Sequence, residues 1–313
     1  MQTPDKNVMF RKVQSRFRHH ALPISQHRRR NKATTYGNMQ PSSQKQNFSP
    51  IKSHPAENIT NRAFARTHIF ATFPPKIKTT MKKRIIFSAA LIAMCCLSVC
   101  AQKKMSVLGD SYSTFEGRIT PAYNACWYFG EGRNADKSND VASAEQTWWL
   151  DFARSHGYTV DVNNSYSGST VCHTGYRKDD YSDRSFITRI HNLGAPDVLF
   201  VFGGTNDSWA KSPIGEYKYK NWTKEDLYSF RPAFCYLMYQ LRQLYPHTKI
   251  YNITNSELSA EITGSMATIC KHYGIKNILL HDIDKQGGHP SAKGMKSISE
   301  QLWQAVGSDL QKQ

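Results

Sequence analysis

The sequence contains no Cys-x-x-Cys pair and no histidine-rich run, so the ligand spacings usual for zinc are missing. Nor does it hold an apolar run long enough to cross a bilayer as a helix. The longest, 85–99, falls short of the ~20 residues a span requires. Acidic side chains are nearly missing from the first eighty residues, where Asp5 and Glu57 face fifteen Lys and Arg. Residues 102–313 hold 23 Lys and Arg against 22 Asp and Glu. The formal charge of +17 therefore belongs to a leader and not to the globular part. A domain so close to neutrality lacks the basic footprint that phosphate backbones require, which argues against a nucleic-acid partner. No internal repeat is present.

The leader, 1–80, has Arg28-Arg29-Arg30, scattered Gln, Asn, Ser and Pro, and few large apolar residues. Such a composition cannot bury enough surface to offset chain entropy, and disorder is expected. It reads either as a basic interaction arm or as sequence translated upstream of the true start. The next segment favours the second reading. From Met81 the chain runs Met-Lys-Lys-Arg, then an apolar core, then Cys100-Ala101-Gln102. That is the pattern of a signal peptide over 81–101, with cleavage after Ala101 and an exported, periplasmic or extracellular product. Lipidation at Cys100 is the alternative, although Val99 is a poor match to the small residue expected before a lipidated Cys.

Residues 102–313 then suffice for a single domain with a sizeable core. Cys126, Cys172, Cys235 and Cys270 remain in a compartment that permits disulfides, and four cysteines allow three pairings. Cys235 and Cys270 lie in apolar helical contexts and read as buried thiols.

Short strands are expected at 105–108, 158–162, 198–202, 249–253 and 275–280. Helices are expected at 145–156, 184–193, 223–245 with a bend at Pro232, 260–273 and 291–306. Five strands alternating with helices predict a parallel α/β sheet covered on both faces. Polar clusters follow the strand ends, so the topology gathers them on one edge of the sheet, where such folds bind ligands. A long polar and aromatic loop, 112–144, fits the same edge.

The first cluster is Gly109-Asp110-Ser111, directly after an apolar run. A serine nucleophile needs a base and donors for a developing oxyanion. His289 stands in Gly287-Gly288-His289-Pro290, a glycine-flanked loop after the last strand. Gly168 can present its N–H at close range, and Asn206 can offer a side-chain amide. Each alone reads equally well as turn chemistry.

Together, Gly109-Asp110-Ser111, Ser167-Gly168, Gly204-Thr205-Asn206-Asp207 and His289-Pro290 resemble the SGNH (GDSL-type) hydrolase family over residues 104–306. The resemblance implies a flavodoxin-like three-layer α/β/α sandwich with a five-stranded parallel sheet and hydrolysis of carboxylic esters. It implies Ser111 as nucleophile, His289 as base, and the N–H groups of Ser111, Gly168 and Asn206 as the oxyanion hole. No cofactor or metal is expected. The family usually has Asp three residues before the His, where this chain has Gln286. Asp284 is the first candidate to orient His289, then Asp282; a main-chain carbonyl is the alternative. Asp110 and Asp207 are expected to hold loops in place.

Trp127, Tyr166 and Trp209, with Tyr128, Tyr176, Tyr217, Tyr219 and Trp222, are expected to crowd the rim. Flat rings beside polar groups suit sugar faces. No apolar lid-like run is present. A small-molecule or glycan ester carrying a short acyl group is therefore the expected substrate. A lysophospholipase or thioesterase, or a glycan-binding protein with little turnover, are the rival readings. Oligomeric state is not written in the sequence.

Overall fold

The run Val198-Leu199-Phe200-Val201-Phe202 is β-branched, aliphatic or aromatic at every position, which suits a strand covered on both faces. In the computed structural model, which describes residues 102–311 except 132 and 135–137, it forms β3 (Val198–Gly203) and is buried throughout. Val198, Phe200 and Phe202 enter one core, and Leu199 and Val201 the other, as the period of two requires. A fully buried ring such as Phe200 contributes on the order of 2 kcal/mol through the apolar area it removes from water. The expected leader (1–80) and signal peptide (81–101) lie outside the described residues.

β3 pairs in parallel with β1 (Lys103–Gly109) and with β4 (Lys249–Thr254). β2 (Tyr158–Ser165) lies outside β1, and β5 (Lys276–Leu279) outside β4, giving the order β2-β1-β3-β4-β5. One face is covered by α1 (Trp148–Ser155) and α6 (Ala292–Gln311), through Trp148, Phe152, Met295 and Leu302. The other is covered by α2 (Phe186–Arg189), α4 (Phe230–Leu244) and α5 (Ala260–Tyr273), through Phe186, Phe234 and Met266. A short α3 (Thr205–Ala210) follows β3. The result is the three-layer α/β/α sandwich expected from the sequence. Among the described residues no helix is long and apolar enough to cross a membrane.

The chain moves from β1 to one neighbour, β2, and then returns to the other, β3. The loops leaving β1 and β3 therefore diverge and open a crevice at the carboxyl edge of the sheet.

Several expected elements differ. β2 runs past Val162 because buried Asn163 and Asn164 find partners: Asn163 Nδ2 donates to Ser113 O at 2.8 Å, and Asn164 Nδ2 to Asn192 O at 3.2 Å. The helix expected over 184–193 is confined to α2. The one expected over 223–245 is interrupted: Glu225–Tyr228 forms a 3-10 turn and Ser229 is extended at φ −117°, ψ 144°. Pro232 sits in the first turn of α4, where its missing N–H costs nothing, so it starts a helix and does not bend one. Two short antiparallel strands, β6 (Lys285–Gln286) and β7 (His289–Pro290), flank Gly287-Gly288. None of the three disulfide pairings forms: Cys126, Cys172, Cys235 and Cys270 are all free. Burial pushes their thiols up, to about 11 for Cys126 and about 12 for Cys235 and Cys270. Cys172, Cys235 and Cys270 pack in the apolar core, while half-buried Cys126 donates its thiol to Tyr128 O at 3.1 Å.

Candidate active site

β1 ends at Gly109, and the residue there is glycine because the chain passes too close to its neighbours for a side chain. A Cβ would lie 2.5 Å from Ser165 Oγ and 2.6 Å from Ser113 Cβ. Asp110 then caps a 3-10 turn, Ser111–Ser113, its carboxylate accepting from Tyr112 N at 3.0 Å. The cap sets Ser111 at the crevice mouth.

The β6–β7 hairpin brings His289 to the same point, with Nε2 2.9 Å from Ser111 Oγ. Two tyrosines following Ser111 on the long loop anchor the hairpin. Tyr112 donates its hydroxyl to Gly288 O at 2.6 Å, and Tyr128 to Pro290 O at 2.8 Å. Asn139 Nδ2 also donates to Pro290 O, at 3.0 Å. Gln286 accepts from Asp140 N at 2.8 Å.

The donors come from the two neighbouring loops. Ser169 N donates to Tyr166 O at 3.2 Å and closes a turn whose third residue is Gly168, at φ +82°. A type II turn demands that left-handed residue, and glycine adopts it without strain. Asn206, in the first turn of α3, donates from Nδ2 to Ser169 O at 2.9 Å and ties the two loops together. Tyr166 N donates to Gly109 O at 3.1 Å, which joins the Gly168 turn to β1. Neither Ser111 N nor Gly168 N meets a main-chain or side-chain acceptor among the described residues.

Beneath this rim lies a buried charged cluster. Asp207 clamps the loop after β2, accepting from Val171 N at 2.7 Å and Cys172 N at 3.3 Å. Burial pushes the Asp207 carboxyl up to about 6 and that of Asp110 to about 7. Arg189, pulled down to about 9 by burial and held up in part by Asp110, donates to Gly109 O at 3.1 Å, Ser169 Oγ at 3.0 Å and Arg184 O at 2.9 Å. It also donates to Asn164 O. One guanidinium thus binds the ends of β1 and β2 to the Gly168 turn. Sequence reasoning passed over Arg189. Its signal was a charge within the apolar helical pattern of Phe186, Ile187 and Ile190, where an unpaired Arg is rarely found.

The structure brings Ser111, Gly168, Asn206 and His289 to one rim, but it does not bring Asp284 to His289. Asp284 accepts from Ser291 Oγ, and its main-chain oxygen accepts from Ser291 N at 3.0 Å. The hairpin pairs Lys285 with Pro290, so position 284 falls opposite 291. His289 Nδ1 faces Gly287 O instead, at 3.3 Å. Asp282 is exposed and pairs with His281 Nδ1 at 2.9 Å.

Trp127, expected on the rim, lies beneath it. It is buried and stacks on His289, centroids 3.7 Å apart and planes 9° from parallel, so it backs the imidazole and offers no exposed face to a sugar. Tyr128 is buried as well. Trp209 does sit on the rim, exposed and edge-on to His289 at 6.0 Å, and Tyr166 is half-buried. Tyr219 and Trp222 pack on α4 and α5, where Tyr219 stacks on His272 and Trp222 meets Tyr236.

A family model described as GDSL-like Lipase/Acylhydrolase matches residues 103–306. A Bacteroides uniformis protein assigned to the GDSL-like lipases, known from its crystal structure, is 65% identical, with a TM-score of 0.65; the match covers 68% of this chain and 99% of that one. A second, from Bacteroides ovatus, is 53% identical with a TM-score of 0.65, covering 66% of this chain and 99% of that one. No curated protein matches the chain. Sequence and fold agree, and the chain belongs to the GDSL-like lipase/acylhydrolase family.

Proposed function

We propose that this ester hydrolase works through an acyl-enzyme on Ser111, with His289 as general base and then general acid. The observation that carries the reading is the 2.9 Å contact between Ser111 Oγ and His289 Nε2 at the switch point of the sheet. Ser111 Oγ attacks the ester carbonyl while its proton passes to Nε2. The carbonyl oxygen becomes an oxyanion, received by Ser111 N–H, Gly168 N–H and the Asn206 amide. Collapse of the tetrahedral adduct breaks the C–O bond, and His289 returns the proton to the departing alcohol. Water, deprotonated by His289, then releases the acid by the same route.

Gly287 O, and not a carboxylate from 284, orients the imidazole in this reading. Asp284→Asn is therefore expected to change kcat on p-nitrophenyl acetate by less than about tenfold. Loss of a carboxylate that orients a catalytic His costs on the order of 10⁴. A loss approaching that size would restore Asp284 to the catalytic group.

The substrate is a short-chain ester, acetyl foremost, on a glycan in the periplasm or outside the cell. The sequence offers no apolar lid-like run to cover a long acyl chain. The exposed face of Trp209 and the half-buried Tyr166 offer apolar surface for a sugar ring. Export follows from the 81–101 segment. The test is a profile of p-nitrophenyl esters from acetyl to palmitoyl, with an acetylated oligosaccharide alongside. kcat/KM is expected to fall at least tenfold beyond butyryl. A profile that rises toward palmitoyl would move the assignment to a lysophospholipase or thioesterase.

A further inference from the structure

Between β2 and α2 the chain forms a narrow loop whose sides are pinned together. Thr174 and Asp180 form an antiparallel bridge, Gly175 N donates to Asp179 O at 2.8 Å, and Tyr181 N donates to His173 O at 2.7 Å. At its tip Arg177 and Lys178 adopt φ of +57° and +64°, a left-handed conformation that side chains other than glycine and asparagine avoid. Two successive residues of this kind persist only where the surroundings over-determine them, and such strain collects at functional sites. What the strained tip delivers is the side chain of Tyr176, whose hydroxyl donates to Asn206 Oδ1 at 2.7 Å. Burial, with Asp110 close by, raises this phenol well above its ordinary value, so it stays protonated and remains a donor.

An asparagine amide offers one acceptor atom and two N–H donors. In Asn206 the acceptor takes the Tyr176 hydroxyl, and one N–H goes to Ser169 O. One N–H is left without a protein acceptor among the described residues. The last torsion of asparagine is broad, so an amide held at one end can swing and point that N–H elsewhere.

We propose that Tyr176 is a positioning residue for the reaction: its hydroxyl, set against Asn206 Oδ1, fixes the amide plane and aims the remaining N–H at the oxyanion. This rests on the roles of Ser111, His289 and Asn206 given above. The rim ring expected from the sequence as a sugar platform thus acts inward, on a donor.

Tyr176→Phe keeps the ring and removes only the hydroxyl. With p-nitrophenyl acetate it is expected to lower kcat about five- to tenfold, the value of one hydrogen bond, and to leave KM unchanged. In an Asn206→Ala background the same change is expected to alter kcat less than twofold, since no amide remains to be aimed. A residue that merely supports the fold would slow both backgrounds by the same factor. An unchanged kcat, a loss confined to KM, or equal losses in the two backgrounds would each overturn the proposal while leaving Ser111 and His289 in their roles. Wild-type protein that neither turns over the ester nor is labelled at Ser111 by a fluorophosphonate would overturn both.

Discussion

Ser111→Ala is expected to reduce turnover of p-nitrophenyl acetate by at least about 10⁴-fold and to abolish fluorophosphonate labelling read by intact mass. In the proposed mechanism the hydroxyl oxygen forms the covalent bond, so its loss removes the two-step route altogether. The N–H donors and bound geometry are left to act on water alone. The substitution leaves the scaffold nearly untouched. Ser111 Oγ makes its hydrogen bond with His289, whereas the turn is built by Asp110, by Ser111 O and by main-chain groups. A lost rate is therefore a lost nucleophile, and an unchanged melting temperature is the accompanying control. A variant still labelled, or within tenfold of wild type, would remove Ser111 from the chemistry.

Asn206→Ala is expected to cost about 10²- to 10³-fold in kcat with little change in KM. In the proposed mechanism its remaining N–H serves a charge that exists only as the tetrahedral adduct forms, and so stabilises the transition state and not the bound ester. The amide also holds Ser169 O and accepts from Tyr176. Removing it leaves buried partners unpaired at about 1–3 kcal/mol, and the melting temperature should fall with the rate. The two effects separate in the kinetics, because loss of folded protein lowers the active fraction, which active-site titration measures directly. A kcat within tenfold of wild type per active site would exclude Asn206 from the oxyanion hole.

What could be read along the chain was what local pattern determines. The apolar run of β3, the glycine before Asp110 and the four polar clusters each follow from their immediate neighbours, and strand-end placement then gathers them. The rest depended on register. Asp284 is near His289 by count but is turned toward Ser291 by a two-residue hairpin that has no periodic signature. The break at Ser229 lies inside a pattern that continues as helix on both sides. Tyr112, Tyr128 and Asn139 reach the hairpin from a loop without period, and only tertiary contact shows which carbonyl each one meets. Arg189 and Tyr176 belong to the same class: their meaning lies in what they touch.

The parallel stack of Trp127 on His289 has a consequence for how protons move. The imidazole is also met by Tyr112, Tyr128 and Trp209, and these neighbours oppose its turning over between steps. In the proposed cycle one nitrogen must both collect and return the proton, and the approach of alcohol or water must come to it. When the ring turns cationic, the electron-rich face of the indole lies directly against it, an attraction worth roughly 0.5–2 kcal/mol. A flat indole face thereby shares with a peptide oxygen the task of steadying a transient positive charge.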